Sequence, residues 1–338
     1  RDWSKKECNI EALRIDPTSA LAWYNLGVVM SGAETVPIGG RDWSKKECNI
    51  EALRIDPTCA LAWYYLGFTM STAETARVGG RDWSNRECYI EALRIDPING
   101  PAWYSLGFMM SGAETVRVGE RDWSKKECFV EALRIDPTSV NAWSNLGMVV
   151  SEAETVRVCG RDRCKKECHI EALRIDPFSA AAWNNLGAVL SGAVTARVGD
   201  RDWSKKSCYM KALRIDPNYV PVWYNLGFVL SGAETARVGE RDWSKKECFV
   251  EALRIDPTSA LAWSTLGSVM SGAETARVAG RDWSKKECYI EALRIDPTSA
   301  LAWYNLGVVM SGAETVPIGG RDWSKKECNI EALRIDPT

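Results

Sequence analysis

A 40-residue unit repeats eight times without a gap through residues 1–320, and residues 321–338 begin a ninth copy. The first copy reads RDWSKKECNIEALRIDPTSALAWYNLGVVMSGAETVPIGG. An unbroken period of this length restricts the chain to architectures in which one supersecondary unit stacks on its neighbours. The expectation is therefore one elongated array over residues 1–338, in which each repeat buries a face on the next. A second periodicity lies over the first. Residues 1–58 and 281–338 differ only at Asn9 against Tyr289, whereas the copies between them diverge more. The pattern suggests a super-repeat of seven copies, and the chain reads as a window of a longer array, with a recent terminal duplication as the alternative.

Charge narrows the function classes. Lys and Arg number 43 against 45 Asp and Glu, with no basic stripe, which argues against nucleic acid as a partner. No apolar run has the length of a membrane span, so membrane insertion is not expected. Of the twelve cysteines, nine recur at one position of the repeat, from Cys8 to Cys328. Spacing by whole repeats is not a metal-ligand spacing, and a small soft residue recurring on one helix reads as a buried thiol. Cys59, Cys159 and Cys164 fall outside that series. Cys159 and Cys164 flank a turn but do not sit opposite each other in its expected register, which disfavours a disulfide.

Each repeat reads as two helices and a hairpin. Ser4-Lys5-Lys6-Glu7 is a capping box opening a first helix, with apolar Cys8, Ile10, Ala12, Leu13 and Ile15. Pro17 ends it, because proline cannot continue a helix and turns Asp16 away from helical geometry. Thr18 or Ser19 then caps a second helix, whose core positions are expected at Leu21, Trp23, Leu26 and Met30.

Trp23, Leu26 and Gly27, then Ala52 and Leu53, then Asp56 and Pro57 together resemble the tetratricopeptide repeat family. The resemblance covers every repeat and implies a mainly α fold, an α-solenoid superhelix of helix pairs. The aromatic residue that the family places before Ala-Leu falls at Tyr89, Phe129, Tyr209, Phe249 and Tyr289, and is replaced by Asn9, Asn49, His169 and Asn329. Glycine at position 27 lets a neighbouring helix approach closely. The departure is the period: family repeats run to about 34 residues, so six are added here.

The added residues fall in GAETVPIGGRDW and its equivalents, which read as a β-hairpin. A two-residue turn at Gly119-Glu120 sets Val118 opposite Arg121, Arg117 opposite Asp122 and Val116 opposite Trp123. One face then holds Val116, Val118 and Trp123, and the other an Arg–Asp pair. Two strands span about 9.6 Å and packed helices lie about 8–10 Å apart, so the hairpins are expected to join into a continuous sheet with an outward charge ladder. Pro37 and Pro317 are expected to weaken pairing in their hairpins.

No catalytic constellation, phosphate loop, cofactor site or paired set of metal ligands is legible, and no enzymatic activity is expected. The serines of the Ser-Lys-Lys-Glu motif cap helices, and the lone His169 stands where other repeats place an aromatic. The family resemblance implies a groove lined by the second helices that receives extended peptides, in some members through basic residues. Here the matching positions are Tyr24, Tyr64, Tyr104, Ser144, Asn184, Tyr224, Ser264 and Tyr304, so a carboxylate clamp is not expected. Other members use an asparagine ladder, for which Asn25, Asn145, Asn185, Asn225 and Asn305 are the candidates. Regularity favours a structural fibre built by self-association, with a peptide-binding scaffold as the alternative. Thr18, Ser31 and Thr35 with their equivalents are candidate O-glycan acceptors. An extracellular or surface location is expected for such a fibre, with a cytoplasmic one as the alternative.

Overall fold

The computed structural model describes residues 3–337. Among them seventeen helices alternate with eight hairpins, numbered here in chain order as α1–α17 and β1–β16. The first repeat contains α1 (Lys5–Ile15), α2 (Ala20–Val29) and β1 (Thr35–Ile38); β2 (Arg41–Ser44) then leads into α3 (Lys45–Ile55) of the second. The chain divides into two compact bodies, Arg1–Ile175 and Asp176–Thr338. The first contains α1–α9 with β1–β8; the second contains α10–α17 with β9–β16.

The first helix of each pair starts as its sequence dictates. Ser44 accepts from the Glu47 amide while Glu47 accepts from the Ser44 amide, so two orphan donors are satisfied reciprocally. In the second helix the cap is Ser19 rather than Thr18. Ser19 accepts from the Ala22 amide, and Thr18 instead donates to the Asp16 carboxylate. The Trp23 indole donates to the Pro17 carbonyl at 2.8 Å, which ties the helix back to the turn before it.

Buried Trp, Leu and Ala side chains of the second helices form the core with Cys, Ala and Leu of the first helices. Leu21 does not join them: it is 66% exposed, and Ala22 takes the inner position beside Trp23. The repeated glycine is where helices meet most closely. A methyl group on Gly107 would lie 3.0 Å from Cys128 Cβ and 3.1 Å from the Phe129 ring, and one on Gly147 would lie 2.5 Å from His169. His169 thus fills the aromatic slot of its repeat.

The hairpins have the register read from their turns. Val118 faces Arg121, Arg117 faces Asp122 and Val116 faces Trp123. Five turns carry two positive φ angles, as at Gly39 (+61°) and Gly40 (+80°), the type I′ pattern. At Gly119-Glu120, Gly199-Asp200 and Gly239-Glu240 only the glycine is positive, the type II′ pattern. The buried face holds Val36 and Ile38 or their counterparts, and the outer face holds ion pairs such as Arg77–Asp82 at 3.2 Å.

Three expectations about the hairpins are corrected. They form eight separate two-stranded sheets, not a continuous one. Ser44 both ends β2 and caps α3, so the chain leaves the sheet straight into a helix. That helix contacts β2 before it and β3 (Thr75–Val78) after it, and Lys46 donates to the Thr75 carbonyl at 3.0 Å. Each hairpin thus packs on first helices rather than pairing with its neighbour. Consequently each outer Arg–Asp pair, such as Arg117–Asp122, closes within its own hairpin and forms no ladder. The proline hairpins pair as fully as the rest, with Pro37 opposite Asp42. Pairs alternate between bonded and non-bonded along an antiparallel ladder. The turn-closing pair Ile38–Arg41 is bonded, so the Pro37 nitrogen falls at a non-bonded place.

The tryptophan of a second helix packs on that of the following hairpin, the first buried and the other part-buried. Trp23 and Trp43 lie 4.4 Å apart between centroids, and Trp23 is 3% exposed. The Arg41 guanidinium covers Trp43 at 4.3 Å and pairs with Glu47.

Candidate peptide-binding face

The second helices of the repeats contain no Asp, Glu, Lys or Arg in any of the eight copies. Such a helix has no charged face. One face carries Ala22, Trp23, Leu26 and Gly27 inward. The other carries positions 21, 24, 25 and 28 outward, which is helical spacing for a single stripe.

In the N-terminal body this stripe runs over α2, α4 (Ala60–Thr69), α6 (Gly100–Met109) and α8 (Val140–Val149). Adjacent second helices touch, α2 with α4 and α4 with α6. The exposed side chains are large and apolar: Phe68 at 59%, Phe108 at 61% and Met148 at 63%. In the C-terminal body, Phe228 of α12 (Val220–Val229), Leu261 of α14 (Ala260–Val269), and Leu301 and Val308 of α16 (Ala300–Val309) are likewise exposed.

The tyrosines and asparagines singled out by sequence lie along the same stripe, and several of them join one repeat to the next. Asn145 Nδ2 donates to Tyr104 Oη at 3.2 Å and to the Asn141 carbonyl at 2.9 Å. Asn225 Nδ2 donates to Asn184 Oδ1 at 2.9 Å, and Asn184 in turn donates to Asn185. Tyr224 Oη bonds with Thr265 Oγ1 at 2.6 Å and donates to the Leu261 carbonyl. The Tyr24 ring packs on Tyr65 at 5.6 Å, and Tyr64 on Tyr89 at 5.9 Å. Asn25 and Asn305 are half-buried on the same face, and Tyr304 is 55% exposed. Burial pushes the Tyr24 hydroxyl up to about 12 and raises Tyr64, Tyr104 and Tyr224, so these groups stay neutral.

Sequence reading singled out positions 24 and 25 of this face and not 21 and 28. The available signal was the absence of any charge from helices that need only one apolar face. Thr18, Ser31 and Thr35 are exposed; Thr18 bonds to Asp16 and Ser31 to Glu34. The cysteines are free thiols, including Cys159 and Cys164. No helix among the described residues is long and apolar enough to cross a membrane.

Paired helices in a fixed repeat, each presenting one outward stripe, define a repeat scaffold. A tetratricopeptide repeat family model matches residues 208–243. No curated protein matches the chain. The match, together with the same helix–helix–hairpin pattern in every repeat, makes the chain a tetratricopeptide-like repeat protein.

Proposed function

We propose that the chain is a non-enzymatic scaffold that binds extended polypeptide along the outward stripe of its second helices. The observation that supports this most is the exposure of Phe68, Phe108 and Met148 on successive helices of one body. Contiguous exposed apolar surface of this kind marks interaction sites. The stripe has no formal charge, so the ligand segment is uncharged where it touches these helices. Titration of the full chain with a library of uncharged extended peptides tests the reading. Binding that is lost on Phe108→Asp together with Met148→Asp, with helicity retained, is the expected result. Binding that is unchanged in that variant contradicts it.

A second reading, a structural fibre formed by self-association, is favoured by one observation. Residues 1–58 and 281–338 match at all but one position, so the same surface recurs after seven repeats. Sedimentation velocity over a wide concentration range separates the two. Growth into long species supports the fibre; a constant monomer supports the scaffold.

A further inference from the structure

Three second helices pair a tyrosine with a phenylalanine four residues on, edge-on in α12 (68° between planes) but stacked in α4 and α6. On α4, Tyr64 and Phe68 stack at 6.2 Å between centroids with planes at 30°. On α6, Tyr104 and Phe108 repeat the arrangement at 6.1 Å and 26°. These helices are neighbours, so the N-terminal body presents two aromatic steps in succession. In the C-terminal body the same positions carry Tyr224 and Phe228 on α12, but Ser264 and Ser268 on the next second helix, α14.

We propose that the α4–α6 steps recognise a proline-rich segment in polyproline II conformation, an inference that rests on the peptide-binding reading above. Three observations lead there. The first is the period. A polyproline II helix has three residues per turn and rises about 3.1 Å per residue, or about 9.3 Å per turn. Packed helices lie about 8–10 Å apart. A ligand in this conformation therefore offers the same edge to each successive step, whereas a fully extended strand does not stay in phase.

The second is chemistry. Aromatic grooves bind proline segments because the ligand is already ordered and presents flat apolar rings. Proline has no amide hydrogen, so the ligand's unmet groups are carbonyls, which need donors. Tyr104 Oη accepts from Asn145, which leaves the hydroxyl hydrogen to donate to such a carbonyl. The stripe is uncharged, and so is the ligand, which satisfies the charge match on both sides.

The third is a cavity of about 150 Å³ beside Tyr104, lined by Gly100, Pro101, Ala132, Ser139 and Asn141. A cavity of about this volume accommodates a ring the size of benzene, and a pyrrolidine ring is smaller. Asp136 at its edge already accepts from Thr138, through both the amide and the hydroxyl.

Fluorescence anisotropy with the full chain and two dye-labelled nonapeptides tests this. One peptide is nonaproline; the other is uncharged, proline-free and alternates Ala, Leu and Gln. Nonaproline is expected to bind more tightly, by about tenfold or more, because its conformation is preset. Phe68→Ala combined with Phe108→Ala is expected to weaken nonaproline about tenfold. Both side chains are more than half exposed, so the fold tolerates their removal. Phe228→Ala, in the other body, is expected to leave binding unchanged. Equal or tighter binding of the proline-free peptide, abolished by the same double substitution, overturns the proline preference and leaves the peptide-binding face standing. Binding of nonaproline that does not change on that substitution, or failure of both peptides to bind, overturns the face as well.

Discussion

Trp103 on α6 and Trp123 on β6 (Arg121–Ser124) lie 4.4 Å apart between ring centroids, with planes at 48°. The pair fastens the second helix of one repeat to the hairpin that opens the next. Six further repeat junctions have the same pair. At the fourth junction Arg163 replaces the outer tryptophan opposite Trp143.

Arg163 pairs with Glu171 at 2.7 Å, both side chains being less than a fifth exposed, and its Nε is buried without a partner. Glu171 also pairs with Arg174, as Glu131 does with Arg134 in the preceding repeat. Arg163→Trp should therefore restore the aromatic pair without stranding Glu171. Exchanging a buried ion pair for packed apolar groups is often neutral to stabilising by about 1–4 kcal/mol. The expected outcome is a higher denaturation midpoint for the N-terminal body. Trp123→Ala removes a part-buried ring and should do the opposite, by less than the roughly 3–5 kcal/mol of a fully buried tryptophan, with hydrogen exchange rising locally rather than along the whole array.

Turn chemistry gives a second prediction. Ala279 and Cys159 have φ of +50° and +49°, where other repeats place glycine. A non-glycine residue there costs on the order of 1 kcal/mol. Ala279→Gly should stabilise the chain by about 1 kcal/mol and Gly39→Ala should destabilise it similarly, as read by chemical denaturation.

Acid should act on the fifth repeat first. Burial, reinforced by Lys165, pushes the His169 pKa from its ordinary 6.5 down to about 4, and its Nδ1 has no partner. The unfolded chain therefore takes up a proton before the folded chain does. Stability is complete above about pH 6.5 and falls as the pH drops towards 4, by about 3 kcal/mol across the window. His169→Phe, which matches Phe129 and Phe249 in other repeats, should remove that slope above pH 4.5.

A separate acid limb belongs to the capping boxes. Amide and hydroxyl bonds from Ser44, then Arg41, hold the Glu47 pKa at about 2 against an ordinary 4.5. Its contribution is present above pH 4.5 and is lost as the pH falls towards 2. Circular dichroism against pH should show helix loss in that range, and Ser44→Ala should bring part of it forward.

Local structure was largely legible because it follows from short-range chemistry. Ser44 with Glu47 announced a helix start, and the glycine of Gly119-Glu120 announced a turn whose register places Arg117 opposite Asp122. Gly107 announced a close approach and receives Phe129. The misreadings concern what lies beyond one repeat. Strand and helix spacings matched well enough to suggest a continuous sheet, but spacing alone does not reveal that α3 packs against both β2 and β3. Leu21 fitted an apolar period, yet a helix with no charged face has no sequence mark separating its inward stripe from its outward one. The asparagine positions were found, but their bonding was not: Asn145 and Asn225 reach side chains of the preceding repeat about 40 residues away in the chain.

Hydroxyl-radical footprinting of the full chain, with and without nonaproline, reads the outward face of α4 and α6 residue by residue. Phe68 and Phe108 should oxidise readily in the free chain, while Trp63 and Trp103, each 3% exposed, react far more slowly. Added peptide should then protect Phe68 and Phe108 and leave Phe228 reactive. Protection confined to the hairpin faces around Arg77 and Arg117, or slow oxidation of Phe68 and Phe108 in the free chain, would contradict the peptide-binding reading.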